Sequence, residues 1–216
     1  MSNLKPRFMP LGDSALLVRF SDRLDDAANS AAIGLAARLT EGPPEGVTEV
    51  APNLVSVLLR FDPLRTTADR LAGELRVLPP DAWTDEPVPG TRRTIPVTFD
   101  GEDLREVAGL LKLDVPAFVT KHNASNIRVL ATGFAPGFVY CGFHPEPLHV
   151  PRRTTVRQSV PAGTVLFAAG QTAITATAVP TGWHVIGRTA FRNFDAAAEP
   201  STTLRPGDRI VFEATS

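Results

Sequence analysis

The chain has 216 residues, enough for one large domain or two small ones, and its hydrophobic (43%) and charged (21%) fractions suit an ordinary globular protein with a proper core. A formal net charge of −1 leaves no electrostatic footprint for nucleic acid or an anionic membrane surface. No uninterrupted apolar run approaches the ~20 residues needed to span a bilayer.

At its start, Met1-Ser2-Asn3-Leu4-Lys5-Pro6 lacks the apolar run of a signal peptide, and the lone Cys141 has no partner for an internal disulfide. A cytoplasmic location is therefore expected, with Cys141 as a small core residue. Gly12-Asp13 reads as a turn into a strand over Ala15 to Phe20. Leu24, Ala28, Ala31, Leu35 and Leu39 then recur at helical spacing, with Ser21 or Asp22 as the cap, until Gly42-Pro43-Pro44 stops the helix. Two strands follow, Val47 to Ala51 and Leu54 to Phe61. A second helix buries Ala68, Leu71, Leu75 and Leu78, is capped by Thr66 or Thr67, and ends at Pro79-Pro80. This order lacks one strand of the split βαβ, ferredoxin-like plan. Thr94 to Thr98 is a candidate for it, across a Pro- and Asp-rich linker from Pro79 to Arg93 that marks the domain boundary.

Asp100 or Glu102 is expected to open a helix with Leu104, Val107, Leu110 and Leu111 inward, and Asp114 to cap another with Pro116 in its first turn and His122 near its end. Short strands are expected over Ile127–Ala131, Val165–Ala168, Ala173–Val179, His184–Ile186 and Arg209–Phe212. Such strands between Gly/Pro turns favour a barrel or a compact sandwich.

No phosphate loop, dinucleotide fingerprint or nucleophile elbow is present, and the four histidines have no metal-ligand spacing, so no metal site is expected. The chemistry concentrates between Gly133 and Thr189. Arg152, Arg153 and Arg157 either bind carboxylate or phosphate through bidentate contacts or pair with surface acids. Gln171 after Gly170 either presents its amide to a substrate or lies in a turn. Arg188 either touches substrate or fixes a loop. His122 is either a general base or a partner of the helix dipole. Phe134 and Trp183 either line a pocket or belong to the core.

The segments Gly133-Phe134-Ala135-Pro136-Gly137-Phe138-Val139-Tyr140, Pro151-Arg152-Arg153, Val160-Pro161-Ala162-Gly163, Gly170-Gln171-Thr172 and Trp183 to Thr189 resemble the allophanate hydrolase subunit 1, or carboxyltransferase C/D-type, family. Gly12-Asp13, Ile95-Pro96-Val97 and Arg205 to Arg209 extend the resemblance over nearly the whole chain. It implies an α+β protein, with a ferredoxin-like N-terminal domain over residues 1–85 and a cyclophilin-like β-barrel domain over 86–216. The activity it implies is that of the B component of an ATP-dependent 5-oxoprolinase-type amidohydrolase, which turns 5-oxo-L-proline into L-glutamate; the component is inactive alone. The implied partners are a homologous C component, similar to allophanate hydrolase subunit 2, and a LamB/YcsF-like A component. ATP is then a co-substrate shared with a partner. His122, Gln171 and Arg188 are the catalytic candidates on this resemblance. Arg152, Arg153, Arg157, Gly137, Gly170, Phe134, Tyr140 and Trp183 are the substrate- or phosphate-binding ones. Two other roles occur in the family: a KipI-like inhibitor of a sensor histidine kinase, and the carboxyltransferase half of a biotin-dependent, urea-using system. The chain departs from the family pattern at Ala169 and Thr181, where glycine is usual, and at Cys141-Gly142-Phe143.

Overall fold

The computed structural model describes residues 4–79, 83 and 90–215, and the chain divides into two compact units, residues 1–89 and 90–216. The first is an antiparallel sheet of β1 (Arg7–Pro10), β2 (Ala15–Arg19), β3 (Val47–Pro52) and β4 (Ser56–Phe61), in the order β1-β2-β4-β3. Leu16 and Val18 of β2 and Val57 and Leu59 of β4 point to one face by strand alternation. There they bury against Leu35 and Leu39 of α1 (Asp26–Glu41) and Leu71 and Leu75 of α2 (Ala68–Arg76).

Two local expectations are corrected in this unit. Neither Ser21 nor Asp22 caps α1, because Asp22 is drawn to Arg7 and Arg19, and the Ser21 hydroxyl accepts from Arg23 N–H. Asp25 takes the cap from extended backbone, its carboxylate accepting from Ala28 N–H at 2.8 Å. Thr94 to Thr98 does not join this sheet. It lies in β5 (Arg92–Thr98) of the second unit, where Ile95 and Val97 enter that unit's core and the strand pairs residue for residue with β13 (Arg209–Thr215). On the outer side of β2 stands β1 instead. For α2, Thr67 caps, accepting from Arg70 N–H at 3.2 Å.

The second unit is a closed barrel. Its strands are β5, β6 (Ile127–Thr132), β7 (Val139–Gly142), β9 (Thr164–Ala168), β10 (Gln171–Ile174), β12 (His184–Arg188) and β13, in the order β10-β7-β6-β13-β5-β12-β9. A separate ribbon pairs β8 (Arg157–Val160) with β11 (Val179–Thr181). The strand expected over Ala173–Val179 is thus split. Thr175 turns the chain aside, its hydroxyl donating to Pro161 O at 2.8 Å and accepting from Thr164 N–H at 2.9 Å. Inward residues of every barrel strand, among them Val129, Val165, Phe167, Ile186 and Phe212, fill the interior with Val107 of α3 (Leu104–Leu110) and Phe118 of α4 (Val115–Asn123). The barrel interior is a packed apolar core. Cys141 belongs to that core, where burial pushes its thiol far up and makes it inert. No helix among the described residues is long and apolar enough to cross a membrane.

Candidate functional site

Because strand residues alternate faces, the barrel wall that sends Val139, Cys141, Val165 and Phe167 inward sends Tyr140, Leu166, Ala168, Ala173 and Val185 outward. Phe138, Val160, Val179 and Trp183 pack on this outer face, which the β8–β11 ribbon borders. The result is a cleft of about 270 Å³ on the outside of the barrel, lined by Phe134, Phe138, Tyr140, Arg152, Arg153, Val156 and the turn Pro180 to Trp183. Its aromatic residues form a continuous ladder. Phe134 meets Phe138 edge-on at 5.4 Å between centroids, Phe138 meets Tyr140 at 4.8 Å, and Tyr140 meets Trp183 edge-on at 6.0 Å.

The ladder's outer rung is held in an unusual backbone state. Phe134 has φ 72°, in the left-handed region that a bulky residue rarely adopts, and its side chain stays 69% exposed. Gly137, at φ 68°, closes the same loop; a Cβ there would come within 2.5 Å of Phe194 Cβ, so only glycine fits.

The three clustered arginines have different surroundings. Arg153 bonds Asp103 and Glu106, both at 2.8 Å, and Arg157 bonds Glu102 at 2.8 Å and Asp103 at 2.7 Å. The second oxygen of Asp103 accepts from Val185 N–H at 2.7 Å. Asp103 occupies the cap position of α3 without capping it, since its carboxylate is spent on these partners. Burial alone would push this carboxyl up. The bond from Arg157, the Val185 N–H and the two guanidinium charges outweigh it and hold Asp103 below its ordinary value. Two further bonds strap the arginine segment to the barrel: Arg153 N–H to Gly182 O at 2.8 Å, and His184 Nε2–H to Pro151 O at 3.0 Å.

Arg152 differs from both. It has no carboxylate partner among the described residues, and its guanidinium lies over the Trp183 ring, 5.6 Å from the centroid. Beside it the Tyr140 hydroxyl has no hydrogen-bond partner among the described residues. Burial pushes this phenol up, opposed by the Arg152 charge.

Residues 6–204 match the family described as carboxyltransferase domain, subdomain C and D. The chain belongs to this family. Within it, the 5-oxoprolinase B subunit of Escherichia coli O157:H7 is 33% identical, with 94% of this chain and 93% of the relative aligned. The 5-oxoprolinase B subunit of Bacillus subtilis (strain 168) is 30% identical, with 94% and 90% aligned. The crystal structure of TTHA0988 superposes with a TM-score of 0.83 at 34% identity; the match covers 94% of this chain but 40% of that one, so the chain spans under half of that protein.

Ala169 has a left-handed backbone, φ 50°. Thr181 uses its hydroxyl to accept from Trp183 N–H at 3.0 Å, fixing the turn below the cleft.

Of the family-motif residues singled out in the sequence, Phe134, Tyr140, Arg152, Arg153 and Trp183 come together in the cleft. The others lie elsewhere. Arg157 stands beside the cleft in its ion pairs. Arg188 pairs with Asp100 at 2.8 Å and lines a different depression, with Thr98, Thr164 and Arg192. Gly137 lines a neighbouring depression with Phe134 and Phe194. Gly170 packs against the His149 ring. Gln171 is 5% exposed with its carbonyl oxygen unpartnered, away from the cleft.

His122 is fully buried inside the barrel, stacked on His144 at 4.7 Å between centroids. Its Nδ1 meets the Asn123 side-chain oxygen and its Nε2 the Thr172 hydroxyl, both at 2.8 Å. His144 Nε2 meets the same hydroxyl at 2.8 Å, and its Nδ1 meets Ser125 Oγ at 3.0 Å. Ser125 Oγ has one proton, shared between His144 Nδ1 and Lys121 O at 3.1 Å, and with the Asn123 oxygen as acceptor the remaining protons are assigned in one order. His122 Nδ1–H donates to Asn123, Thr172 donates to His122 Nε2, and His144 Nε2–H donates to Thr172. Both rings are then neutral. Burial lowers His122 to about 4, partly offset by the Asn123 bond. Burial, with the charges of His122 and His149, drives His144 well below its ordinary value. This placement gives His122 no access to a solvent-borne substrate.

Sequence reasoning passed over Asp103 and His184. The signal for Asp103 was the acidic run Asp100, Glu102, Asp103 and Glu106, which mirrors the three arginines. His184 carried no such signal, since its partner is a backbone carbonyl. Among the described residues no group of three or more His, Cys, Asp or Glu side chains is placed to hold a metal ion.

Proposed function

We propose that the chain is the B component of an ATP-dependent amidohydrolase of the 5-oxoprolinase type, contributing part of a site completed by its homologous C component and by the A component. The observation that carries this reading is the pair of open donors in the cleft, the Arg152 guanidinium over Trp183 and the neighbouring Tyr140 hydroxyl. The near full-length likeness to the 5-oxoprolinase B subunits of two bacteria supports it.

A lactam resists hydrolysis because its amide is resonance-stabilised. An enzyme that opens it must anchor the small ring, keep bulk water from its faces, and aim donors where negative charge collects. Here the aromatic ladder supplies the faces, Arg152 anchors the ring through its carboxylate, and the Tyr140 hydroxyl supplies a donor to the amide oxygen. Arg153, held by Asp103 and Glu106, keeps the wall between them in place. ATP, when bound, supplies the energy to activate the amide oxygen. The cleft does not fit its triphosphate: Arg153 and Arg157 are already paired with Asp103, Glu102 and Glu106, which leaves one unpaired guanidinium. ATP is therefore held outside this cleft. The exposed Phe134 (69%) and Val156 (56%) at the rim suit burial under a partner protein.

The test is to co-express the chain with its C and A components and to measure ATP-dependent release of glutamate from 5-oxo-L-proline. Turnover that requires this chain, and that falls more than tenfold with Arg152→Gln, is the expected outcome. A well-assembled complex without turnover overturns the reading.

A further inference from the structure

We infer that the outer cleft is a binding site for the carboxylate of a small, flat monoanion, and that this chain binds such a ligand by itself. The choice of 5-oxo-L-proline as the lead ligand rests on the reading above; the class of ligand rests on the charges and shape of the cleft.

The charge count decides against phosphate. Arg152, Arg153 and Arg157 bring three positive charges, and Glu102, Asp103 and Glu106 bring three negative ones, all tied to Arg153 and Arg157. A phosphate monoester or a nucleotide tail carries two or more negative charges and is met elsewhere by several unpaired cations or by a run of free backbone N–H groups. Placed here it would meet one free guanidinium and, within a few residues, three carboxylates. A single carboxylate matches a single guanidinium in both charge and bidentate geometry.

The shape argues the same way. About 270 Å³ is below the usual range for drug-sized ligands, so the occupant is small. The Trp183 ring holds Arg152 from one side, which limits the directions in which the guanidinium can donate. Phe138, Tyr140 and Trp183 offer ring faces and edges to a flat body next to that carboxylate, and the Tyr140 hydroxyl is free to donate to a carbonyl on it. An amide-bearing ring carboxylic acid uses every one of these groups.

The experiment uses the full chain with Trp83→Phe, which leaves Trp183 as the sole tryptophan, and follows its fluorescence at constant ionic strength. The ligands are 5-oxo-L-proline, pyrrole-2-carboxylate, inorganic phosphate and ATP. The expected result is a saturable change with the two carboxylates, weakened at least tenfold by Arg152→Gln and unaffected by the surface control Arg60→Gln. Phosphate and ATP are expected to give no Arg152-dependent change. Arg152 is exposed and unpaired, so the variant is expected to fold, and an unchanged circular dichroism spectrum checks it. An Arg152-dependent response to phosphate or ATP alone overturns the inference, as does no saturable response to any ligand. A response to pyrrole-2-carboxylate without one to 5-oxo-L-proline upholds the site and sinks the oxoprolinase reading. Loss of binding in Arg152→Gln with unchanged turnover of the assembled complex likewise upholds the site and removes it from the reaction.

Discussion

The buried His122–Thr172–His144 chain makes the barrel acid-sensitive in a narrow window. Both rings are neutral when folded, because burial holds their values below the ordinary 6.5. In the unfolded chain both protonate as pH falls through about 6.5. The unfolded state then binds more protons, so stability is present above pH 6.5 and is lost as pH falls towards the folded values. At pH 5 each ring costs about 1.4 kcal/mol for each of the roughly 1.5 units below 6.5, which is about 2 kcal/mol per histidine and about 4 kcal/mol for the pair. That figure needs only folded values below 5. Asp103 adds nothing in this window, since its carboxyl is held below its ordinary value and titrates lower. Urea unfolding of the Trp83→Phe chain, followed at Trp183 at pH 7, 6 and 5, measures the loss. His144→Gln keeps an N–H for Thr172 but no titrating ring, so its loss between pH 7 and 5 should be about half that of the parent. A stability that does not change over this range, or a variant with the full pH dependence, refutes the neutral pair.

Two further outcomes follow from the packing. Asp103→Asn removes the charge shared by Arg153 and Arg157 while keeping an acceptor for Val185 N–H; a loss of ~3 kcal/mol, the low end for breaking a buried pair, is expected because Glu102 and Glu106 remain. The strap over residues 151–157 should loosen with it, seen as a red shift of Trp183 emission, and an unshifted spectrum would show that Asp103 does not hold the cleft wall. Asp25→Ala removes the α1 cap and should cost about 1 kcal/mol in denaturant unfolding of the first unit, whereas Asp22→Ala should leave α1 intact.

What the sequence determined by itself was local and periodic. Leu16, Val18, Val57 and Leu59 alternate, and Leu35 and Leu39 repeat at helical spacing, so the elements of the first unit follow from which residues share a face. The motif from Gly133 to Tyr140 marked the stretch that lines the cleft, because its glycines and proline answer to backbone geometry that only a few residues can adopt. Tertiary structure decided whatever depends on distant partners. Thr94 to Thr98 suited either unit by its own pattern, and pairing with β13, more than a hundred positions away, settled it. Ala173 to Val179 looked like one strand until Pro161 and Thr164 drew Thr175 aside. Arg152, Arg153 and Arg157 are alike in sequence, and only the fold sets Asp103, Glu102 and Glu106 beside two of them and Trp183 beneath the third. A charge acts on what lies within a few ångströms of it, whatever the separation along the chain, so which arginine stays free for a ligand could not be read from the sequence.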